Sequence, residues 1–274
     1  MYGRYNVVKN GFFNSYTKDY LKNLLLVSLI VLTSLSLFYS CQSAEQISKD
    51  IEVIDGDTLK FNGKTVRIIG IDAPETYSGG SKPVGEFGQD AKNYLYWFAA
   101  NHTISIEPKG TDSYGRVLAY VFGTDSTGKK YLYEASLTEL GYARPLLYRE
   151  NYVASYIQGI IDAYKRAYEN KRGIYSKLDN APVITNKSNW TSYVGKIVYL
   201  EMQVSNVYKY SGTWYIVSDF AVIKIREDEY TYIFSNYNLY SLKNRVVRFY
   251  GELWNDEGKP TIMLRAPWEI NVLN

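Results

Sequence analysis

The fold is decided by the stretch Val53-Ile-Asp-Gly-Asp-Thr-Leu-Lys-Phe-Asn-Gly-Lys-Thr-Val-Arg-Ile-Ile-Gly-Ile-Asp-Ala-Pro-Glu-Thr76. Asn62-Gly63 lies between two apolar-rich runs, which is a strong signal for a hairpin with a two-residue turn. A turn of that length pairs Thr58 with Arg67 across the two strands. We therefore expect a tight hairpin that feeds into a polar loop.

Carboxylates and a guanidinium collect near one end of this hairpin. Asp57 lies next to Arg67 across the strands, Asp72 leaves the second strand close by, and Glu75 follows in the loop. Oxygen ligands without histidine suit calcium, which tolerates irregular geometry and accepts backbone carbonyls as well as carboxylates. A guanidinium holds phosphate oxygens bidentately. The stretch therefore predicts a place where a hard cation and a phosphate are held together.

Composition excludes several other kinds of site. The sequence contains one cysteine, Cys41, and one histidine, His102, so disulfides, cysteine-rich zinc sites and Ser-His or Cys-His catalysis are not expected. His102 is expected to be structural. The net charge of +3 comes from residues 1–41, and residues 42–274 carry 27 basic and 27 acidic side chains. Affinity for phosphate must therefore come from local arginines and a bound cation, and not from a global positive charge.

The N-terminus is predicted to be a targeting segment. Leu24–Phe38 is apolar and uncharged, follows Lys18 and Lys22, and is shorter than a typical membrane-spanning helix. The segment ends at Cys41, and its pattern resembles a bacterial lipoprotein signal in which the cysteine is lipidated. The alternative is an uncleaved anchor, or secretion, with Cys41 incidental. Either alternative exports residues 42–274 to the cell envelope or beyond.

Periodicity suggests two β-rich parts. Strands are expected over Ile51–Phe61, Thr65–Ile71, Thr103–Pro108 and Val117–Gly123, and helices over Gly85–Asn101, Leu132–Leu140 and Val153–Ala167. Later strands are expected over Lys196–Val207, Thr213–Ser218, Ala221–Ile225, Arg245–Leu253 and Pro260–Leu264. The predicted organisation is an export segment (1–41), a linker (42–50), a first domain (51–178), a second linker (179–189) and an all-β domain (190–274).

The first part resembles the staphylococcal (micrococcal) nuclease, or thermonuclease, family. The resemblance rests on the hairpin stretch and on a second block in the right order, Thr111-Asp-Ser-Tyr-Gly-Arg-Val-Leu-Ala-Tyr120. It covers roughly Ile51–Lys177. It implies a mainly β fold with helices (α+β), an OB-type five-stranded barrel with three helices. The strand pattern after residue 190 predicts a second OB-like β-barrel domain.

The resemblance also implies an activity and its residues. That activity is calcium-dependent hydrolysis of DNA and RNA, which leaves 3′-phosphate ends. The implied residues are Asp57, Asp72 and the Ala73 backbone carbonyl for Ca²⁺, Glu75 for activating water, Arg67 and Arg116 for the phosphate, and Tyr114 and Tyr148 for the nucleotide.

Two other functions stay open from the sequence. The first is a non-catalytic module of the same fold that binds nucleic acid or protein, and the second is an envelope lipoprotein with an adhesion or assembly role. Non-catalytic members usually lack carboxylates or arginines of the site, whereas this chain keeps all five, which favours the enzyme. The tyrosines of the second domain either stack on nucleic-acid bases or have a structural role, in the core or on the surface.

Overall fold

The computed structural model describes residues 50–77 and 82–273. All of them belong to one compact unit, which the chain forms from residue 47 onward. The predicted export segment, including Leu24–Phe38 and Cys41, lies outside the described residues. Within the described ranges, no helix combines the length and the apolar character needed to cross a membrane.

The first half of the unit is a curved sheet with helices packed on it. Its strands are β1 (Ile51–Asp55), β2 (Thr58–Phe61), β3 (Lys64–Ile68), β4 (Gly70–Asp72), β5 (Thr103–Thr111), β6 (Val117–Thr124), β7 (Lys130–Leu132) and β8 (Arg144–Leu146). Its helices are α1 (Gly88–Asn101), α2 (Tyr133–Glu139) and α3 (Ala154–Glu169). The main sheet has the order β1-β2-β3-β6-β5, β7 extends it from β6, and β4 pairs separately with β8.

The hairpin predicted from Asn62-Gly63 is confirmed. Both turn residues have positive φ values, 50° and 75°, as a two-residue turn of this kind requires. Thr58 pairs with Arg67 in the register expected from the turn length.

The prediction of one strand over Ile51–Phe61 is wrong, because β1 and β2 form a second hairpin that turns at Gly56 and Asp57. A Cβ atom on Gly56 would lie 2.6 Å from that of Ala91 and 2.8 Å from that of Ala73, so only glycine permits this turn.

Helix faces close the core of this half. Apolar side chains of α1 and α3 recur at helical spacing and pack on the inner face of the sheet. Helix α1 begins at Gly88, three residues later than predicted, because the preceding segment is a turn in which the Gly85 amide donates to the Glu75 carbonyl at 3.0 Å. The buried core includes Leu59, Val66, Ile68, Leu95, Phe98, Val121, Leu137 and Ile160.

The second half is a sheet that curves around its own core. Its strands are β9 (Val183–Ile184), β10 (Ile197–Gln203), β11 (Asn206–Tyr210), β12 (Thr213–Val217), β13 (Val222–Arg226), β14 (Val246–Asp256), β15 (Lys259–Met263) and β16 (Ile270–Val272). The sheet order is β11-β12-β13-β15-β14-β10-β9, with β16 on β14. Helix α4 (Glu227–Tyr232) follows β13, and short 3-10 helices cover Arg149–Asn151, Gly173–Lys177, Trp190–Tyr193, Leu239–Leu242 and Pro267–Glu269.

The two halves share a buried boundary. An apolar cluster there joins Tyr164 and Tyr175 of the first half to Tyr250 and Ala266 of the second. The segment 179–189, predicted as a linker, contributes β9, which pairs in parallel with β10. The fold is mixed α+β and dominated by strands, as predicted. The division at 179–189 into separate domains stays a prediction.

Candidate active site

A cleft of 540 Å³ opens beside the first hairpin. Its walls come from the β1–β2 turn, strand β3, the loop after β4, and the turn between β5 and β6. The residues that line it are Ile54, Asp55, Asp57, Thr58, Arg67, Glu75, Tyr77, Lys82, Tyr114 and Arg116. Five of the predicted site residues, Asp57, Arg67, Glu75, Tyr114 and Arg116, therefore meet in one cavity, although they come from separate parts of the chain.

Asp57 and Arg67 form the centre of the cleft. Their closest side-chain atoms, Asp57 Oδ2 and Arg67 Nη2, lie 3.0 Å apart. The Ala73 amide also donates to Asp57 Oδ2 at 3.0 Å, which ties the hairpin to the loop after β4. Arg67 Nη2 donates to the Ile71 carbonyl at 3.1 Å, and Nη1 donates to the Ile68 carbonyl. Arg67 therefore braces the loop as well as facing the cleft.

Asp72 lies behind this pair at the end of β4 and is only 3% exposed. Its Oδ1 lies 2.5 Å from Lys82 Nζ and 3.8 Å from Arg67 Nη2. Its Oδ2 lies 3.1 Å from Arg265 Nη2. Burial by itself would raise the pKa of Asp72, but the surrounding cations, Lys82 and Arg265 first, outweigh burial and hold the pKa below its ordinary value. Asp72 is thus an anion at neutral pH.

Glu75 and Asp55 are partly buried carboxylates at the edge of the cleft. Burial, and then the charge of neighbouring carboxylates, raises the pKa of both groups. Lys82 Nζ reaches Glu75 Oε1 at 3.2 Å. Asp55 Oδ1 accepts the Gly56 amide at 2.9 Å, but the buried Oδ2 has no hydrogen-bond donor among the described residues.

Arg116 enters the cleft from the turn before β6, the strand that pairs with β3. Its Nε lies 2.8 Å from Asp112 Oδ2, and the Asp112 side chain also accepts the Arg116 and Tyr114 amides, which fixes the turn before β6. Tyr114 is 85% exposed, and its ring centroid lies 5.5 Å from the Arg116 guanidinium carbon. Both side chains are free to meet a ligand that enters from solvent.

Tyr148 lies in a second, smaller cavity of 270 Å³ that shares Arg67, Arg116 and Tyr114 with the main cleft. Its ring packs under the guanidinium of Arg226, at 4.4 Å. The structure thus brings all the predicted residues, apart from Cys41, to one region. Asp72 and Ala73 lie behind the wall of the cleft.

The donor set fits a hard cation by its chemistry. Carboxylates of Asp55, Asp57, Asp72 and Glu75 lie in or beside the cleft, and no histidine or cysteine competes with them. The raised pKa of Asp55 and Glu75 shows that burial and neighbouring carboxylates outweigh the nearby donors and cations at these two groups, and Asp55 Oδ2 is an acceptor that no described donor uses. In the ranges that the structure covers, no three histidine, cysteine, aspartate or glutamate side chains converge into a metal-binding group.

Comparison with known families agrees with this geometry. Residues 65–177 match the family described as staphylococcal nuclease homologue. These residues form a staphylococcal nuclease-like domain. The match includes the hairpin arginine, the loop after β4 and the turn before β6, whereas Asp55 and Asp57 precede it and the second half of the unit lies beyond it.

Curated relatives share this staphylococcal nuclease-like part. Endonuclease YncB of Bacillus subtilis is 34% identical over 131 residues, which are 45% of this chain and 59% of YncB. The SPbeta prophage-derived endonuclease YokF of Bacillus subtilis is 33% identical over 131 residues, which are 45% of this chain and 42% of YokF. The probable endonuclease LCL3 of Candida tropicalis is 38% identical over 85 residues, which are 31% of this chain and 35% of LCL3. The chain therefore spans between 35% and 59% of the length of these relatives.

Sequence reasoning missed three charged residues at the nuclease-like site. Asp55 is not among the predicted site residues, although its spacing of two from Asp57 is a usable signal. Lys82 follows a stretch of sequence rich in glycine and serine, with no pattern that marks it. Arg265 lies 193 residues beyond Asp72 in the chain, so no local pattern could relate the two.

Proposed function

We propose that this protein is a calcium-dependent phosphodiesterase that cuts nucleic acid internally. The observation that carries the proposal is the meeting of Asp57, Glu75, Arg67 and Arg116 in one cleft. The names of the relatives, endonucleases in each case, support it.

The cation would be held by Asp57 and Asp72, with the Ala73 carbonyl as a backbone ligand. When bound, Ca²⁺ supplies Lewis acidity that polarises a phosphodiester, and it orients water. Asp57 lies in the cleft, and Asp72 carries its negative charge just behind it.

Glu75 is the group that takes the proton from the attacking water. Its raised pKa brings it nearer to neutrality, which suits a general base better than an ordinary glutamate does. It lies in the wall of the cleft and is half-buried, so water reaches it.

Arg67 and Arg116 stabilise the negative charge that builds up on phosphorus-bound oxygens in the transition state. They line one cavity, from β3 and from the turn before the neighbouring strand β6. Guanidinium groups suit this role because two parallel N–H donors match two phosphate oxygens. Such preorganised donors contribute most when charge develops in the transition state.

The substrate is DNA, RNA or both, and the products carry 3′-phosphate ends. Tyr114 is exposed beside Arg116 and offers a flat surface for a base or sugar. Tyr148 offers a second surface in the adjoining cavity.

A cleavage assay tests the proposal. The purified protein is incubated with supercoiled plasmid and with single-stranded RNA in Ca²⁺, in Mg²⁺ or in chelator. We expect cleavage in Ca²⁺, little in Mg²⁺, which demands tighter octahedral geometry, and none in chelator. Full cleavage in chelator, or none in Ca²⁺, would contradict it. If nothing is cleaved in Ca²⁺, binding of the same nucleic acids would identify a non-catalytic module.

We also propose that the protein is exported and held at the cell envelope by lipid on Cys41. The apolar run Leu24–Phe38, its preceding lysines and the position of the single cysteine support this. The alternatives, an uncleaved anchor or secretion, are separated by a prediction given below.

A further inference from the structure

The second half of the unit reaches into the candidate active site through Arg265. This residue follows β15 and is 2% exposed. Its Nη2 donates to Asp72 Oδ2 at 3.1 Å, and its Nη1 lies 3.5 Å from Glu229 Oε1. Glu229 is fully buried and accepts the Leu147 amide at 2.8 Å, so the guanidinium is itself held in place.

The contact with Arg265 fixes the orientation of the Asp72 carboxylate. Arg265 occupies Oδ2, and Oδ1 is left facing Lys82 and the cleft. A second buried pair across the same boundary, Arg144 Nη2 with Glu252 Oε2 at 2.9 Å, lies next to it, because Arg144 pairs with Asp72 between β8 and β4. Both cations lower the pKa of Asp72.

The second half also holds the segment that supports Glu75. Glu75 forms a backbone bridge with Val84, and the Gly85 amide donates to the Glu75 carbonyl. The next residue, Glu86, is bound to the second half twice. Its amide donates to the Gly195 carbonyl at 3.0 Å, and its Oε2 accepts the Ile197 amide at 3.2 Å. This support is independent of Arg265 and reaches a different carboxylate.

We propose that the second half is a structural part of the nuclease site, and that Arg265 is a positioning residue that orients the Asp72 carboxylate. The expected loss of activity rests on the proposed function. The contact between the second half and the Asp72 carboxylate rests on the structure alone. It assigns to residues 190–274 a role in catalysis that needs no contact with nucleic acid. The staphylococcal nuclease-like part is then incomplete by itself.

The test uses the full chain with substitutions at Arg265. Arg265→Gln keeps hydrogen-bond donors but removes the charge and the fork, and Arg265→Lys keeps the charge without the fork. Two controls are matched to them. Arg248→Gln makes the same change in β14, where Arg248 pairs with Glu201 at 2.8 Å away from the cleft. Met202→Ala weakens the buried core of the second half without touching Asp72.

Two readouts separate positioning from stability. The first is kcat and KM at saturating Ca²⁺, measured well below the melting temperature of each variant. The second is hydrogen exchange of the backbone amides of residues 70–76, which needs no cleavage. We expect Arg265→Gln to lower kcat by about 10- to 100-fold with little change in KM, because misplacing an orienting group has an effect of this size. Arg265→Lys should recover part of the loss.

Exchange in residues 70–76 should become faster in Arg265→Gln and stay as in the wild type in both controls. The inference is overturned if Arg265→Gln has the same kcat as Met202→Ala and the same hydrogen-exchange rates in residues 70–76 as the wild type. If Arg265→Gln does not fold, Arg265→Lys decides by the same two comparisons. If the wild-type protein cleaves nothing, the proposed function fails, and exchange alone decides whether Arg265 holds the Asp72 strand.

Discussion

At the scale of single residues, Arg67 and Arg116 differ in how much structure depends on them. Arg67 is mostly buried and donates to the Ile68 and Ile71 carbonyls as well as pairing with Asp57. Arg116 is one-third exposed, and its side chain pairs with Asp112. The two arginines share a proposed role in catalysis, but only Arg67 also braces the loop that carries Asp72.

Arg116→Lys is expected to lower kcat by about 10²-fold, the scale of losing one preorganised transition-state donor, with the melting temperature unchanged. Arg67→Lys should lower both kcat and the melting temperature, since lysine cannot replace the donors to two carbonyls. Steady-state kinetics and thermal denaturation of both variants check this. An Arg116→Lys variant with wild-type turnover would place the phosphate site elsewhere.

Lys82 occupies the space between two proposed site carboxylates. Its ammonium lies 2.5 Å from Asp72 Oδ1 and 3.2 Å from Glu75 Oε1, so it competes for the charge that a cation would use. Lys82→Gln is expected to bind Ca²⁺ about tenfold more tightly, a difference of about 1.4 kcal/mol. Titration calorimetry measures this without substrate. Lys92→Gln is the control, because Lys92 is a half-buried residue of α1 that does not line the cleft, and weaker binding by Lys82→Gln would contradict the prediction.

At the scale of elements, helix α2 places an acid inside the core. Glu134 is fully buried, accepts the Val121 amide at 3.0 Å with Oε1, and has no hydrogen-bond partner for Oε2 among the described residues. Burial raises the pKa of Glu134 well above its ordinary value. The folded protein therefore holds this proton more tightly than the unfolded chain does.

Because the folded protein binds this proton more tightly, protonation of Glu134 raises the free energy of unfolding. The stabilisation is fully present below the pKa of the unfolded chain, about 4.3, and is lost as pH rises toward the pKa of the folded protein. Glu134→Gln mimics the neutral acid. It should melt at a higher temperature than the wild type at neutral pH, with the difference shrinking as pH falls toward 4. Thermal denaturation across this range tests it, with the exposed Glu150→Gln as control. A difference that does not depend on pH would rule out titration of Glu134.

The segment Val84–Glu86 is the element that links Glu75 to the second half. At Gly195, where φ is +82°, an added Cβ would lie 2.0 Å from the Val84 carbonyl oxygen. Gly195→Ala should therefore push the segment away and lower kcat at a temperature where the protein is still folded. Gly258→Ala is the matched control, since Gly258 has φ of +78° and no atom within 4 Å of the added Cβ. Equal kcat in the two variants would show that only backbone strain matters.

At the scale of the whole molecule, buried charges join the two halves. The pairs Arg265–Asp72 and Arg144–Glu252 are almost fully excluded from solvent. Breaking a buried pair by removing one partner is strongly destabilising, by about 3–5 kcal/mol, because a charge is left without compensation. The two halves are therefore expected to melt in one transition.

The proposed attachment of the molecule to a membrane would depend on Cys41, which lies outside the described ranges. Cys41→Ser is expected to abolish palmitate labelling and to move the protein from the membrane fraction to the soluble fraction, because stable anchoring by lipid needs the acyl chains. Ser43→Ala serves as a control that leaves labelling intact. If Cys41→Ser stays in the membrane fraction, Leu24–Phe38 is an uncleaved anchor.

Local pattern by itself determined the hairpin and its register. Together with the family resemblance, it also indicated most residues of the candidate active site. The Asn62-Gly63 turn sets the pairing of Thr58 with Arg67, and a period of two in strands then sets which side chains share a face. The three helices of the first half and most later strands were also predictable to within a few residues, since amphipathic spacing depends only on neighbours in the chain. The predictions of single strands over Thr65–Ile71 and Lys196–Val207 were wrong, because each range is divided between two strands. Asp57, Glu75, Arg67 and Arg116 were recognised because they lie in two short blocks of sequence.

Only the tertiary structure decided that the site extends into the second half. Arg265 and Asp72 are 193 residues apart, and neither the turn chemistry nor the periodicity around either one indicates the other. Their contact follows from burying the boundary between two sheets. Burial removes water from both charges, so each charged side chain has the other as its partner. Such long-range pairing is set by packing and not by local sequence. The same packing raises the pKa of Asp55 and Glu75, which no reading of the sequence could supply.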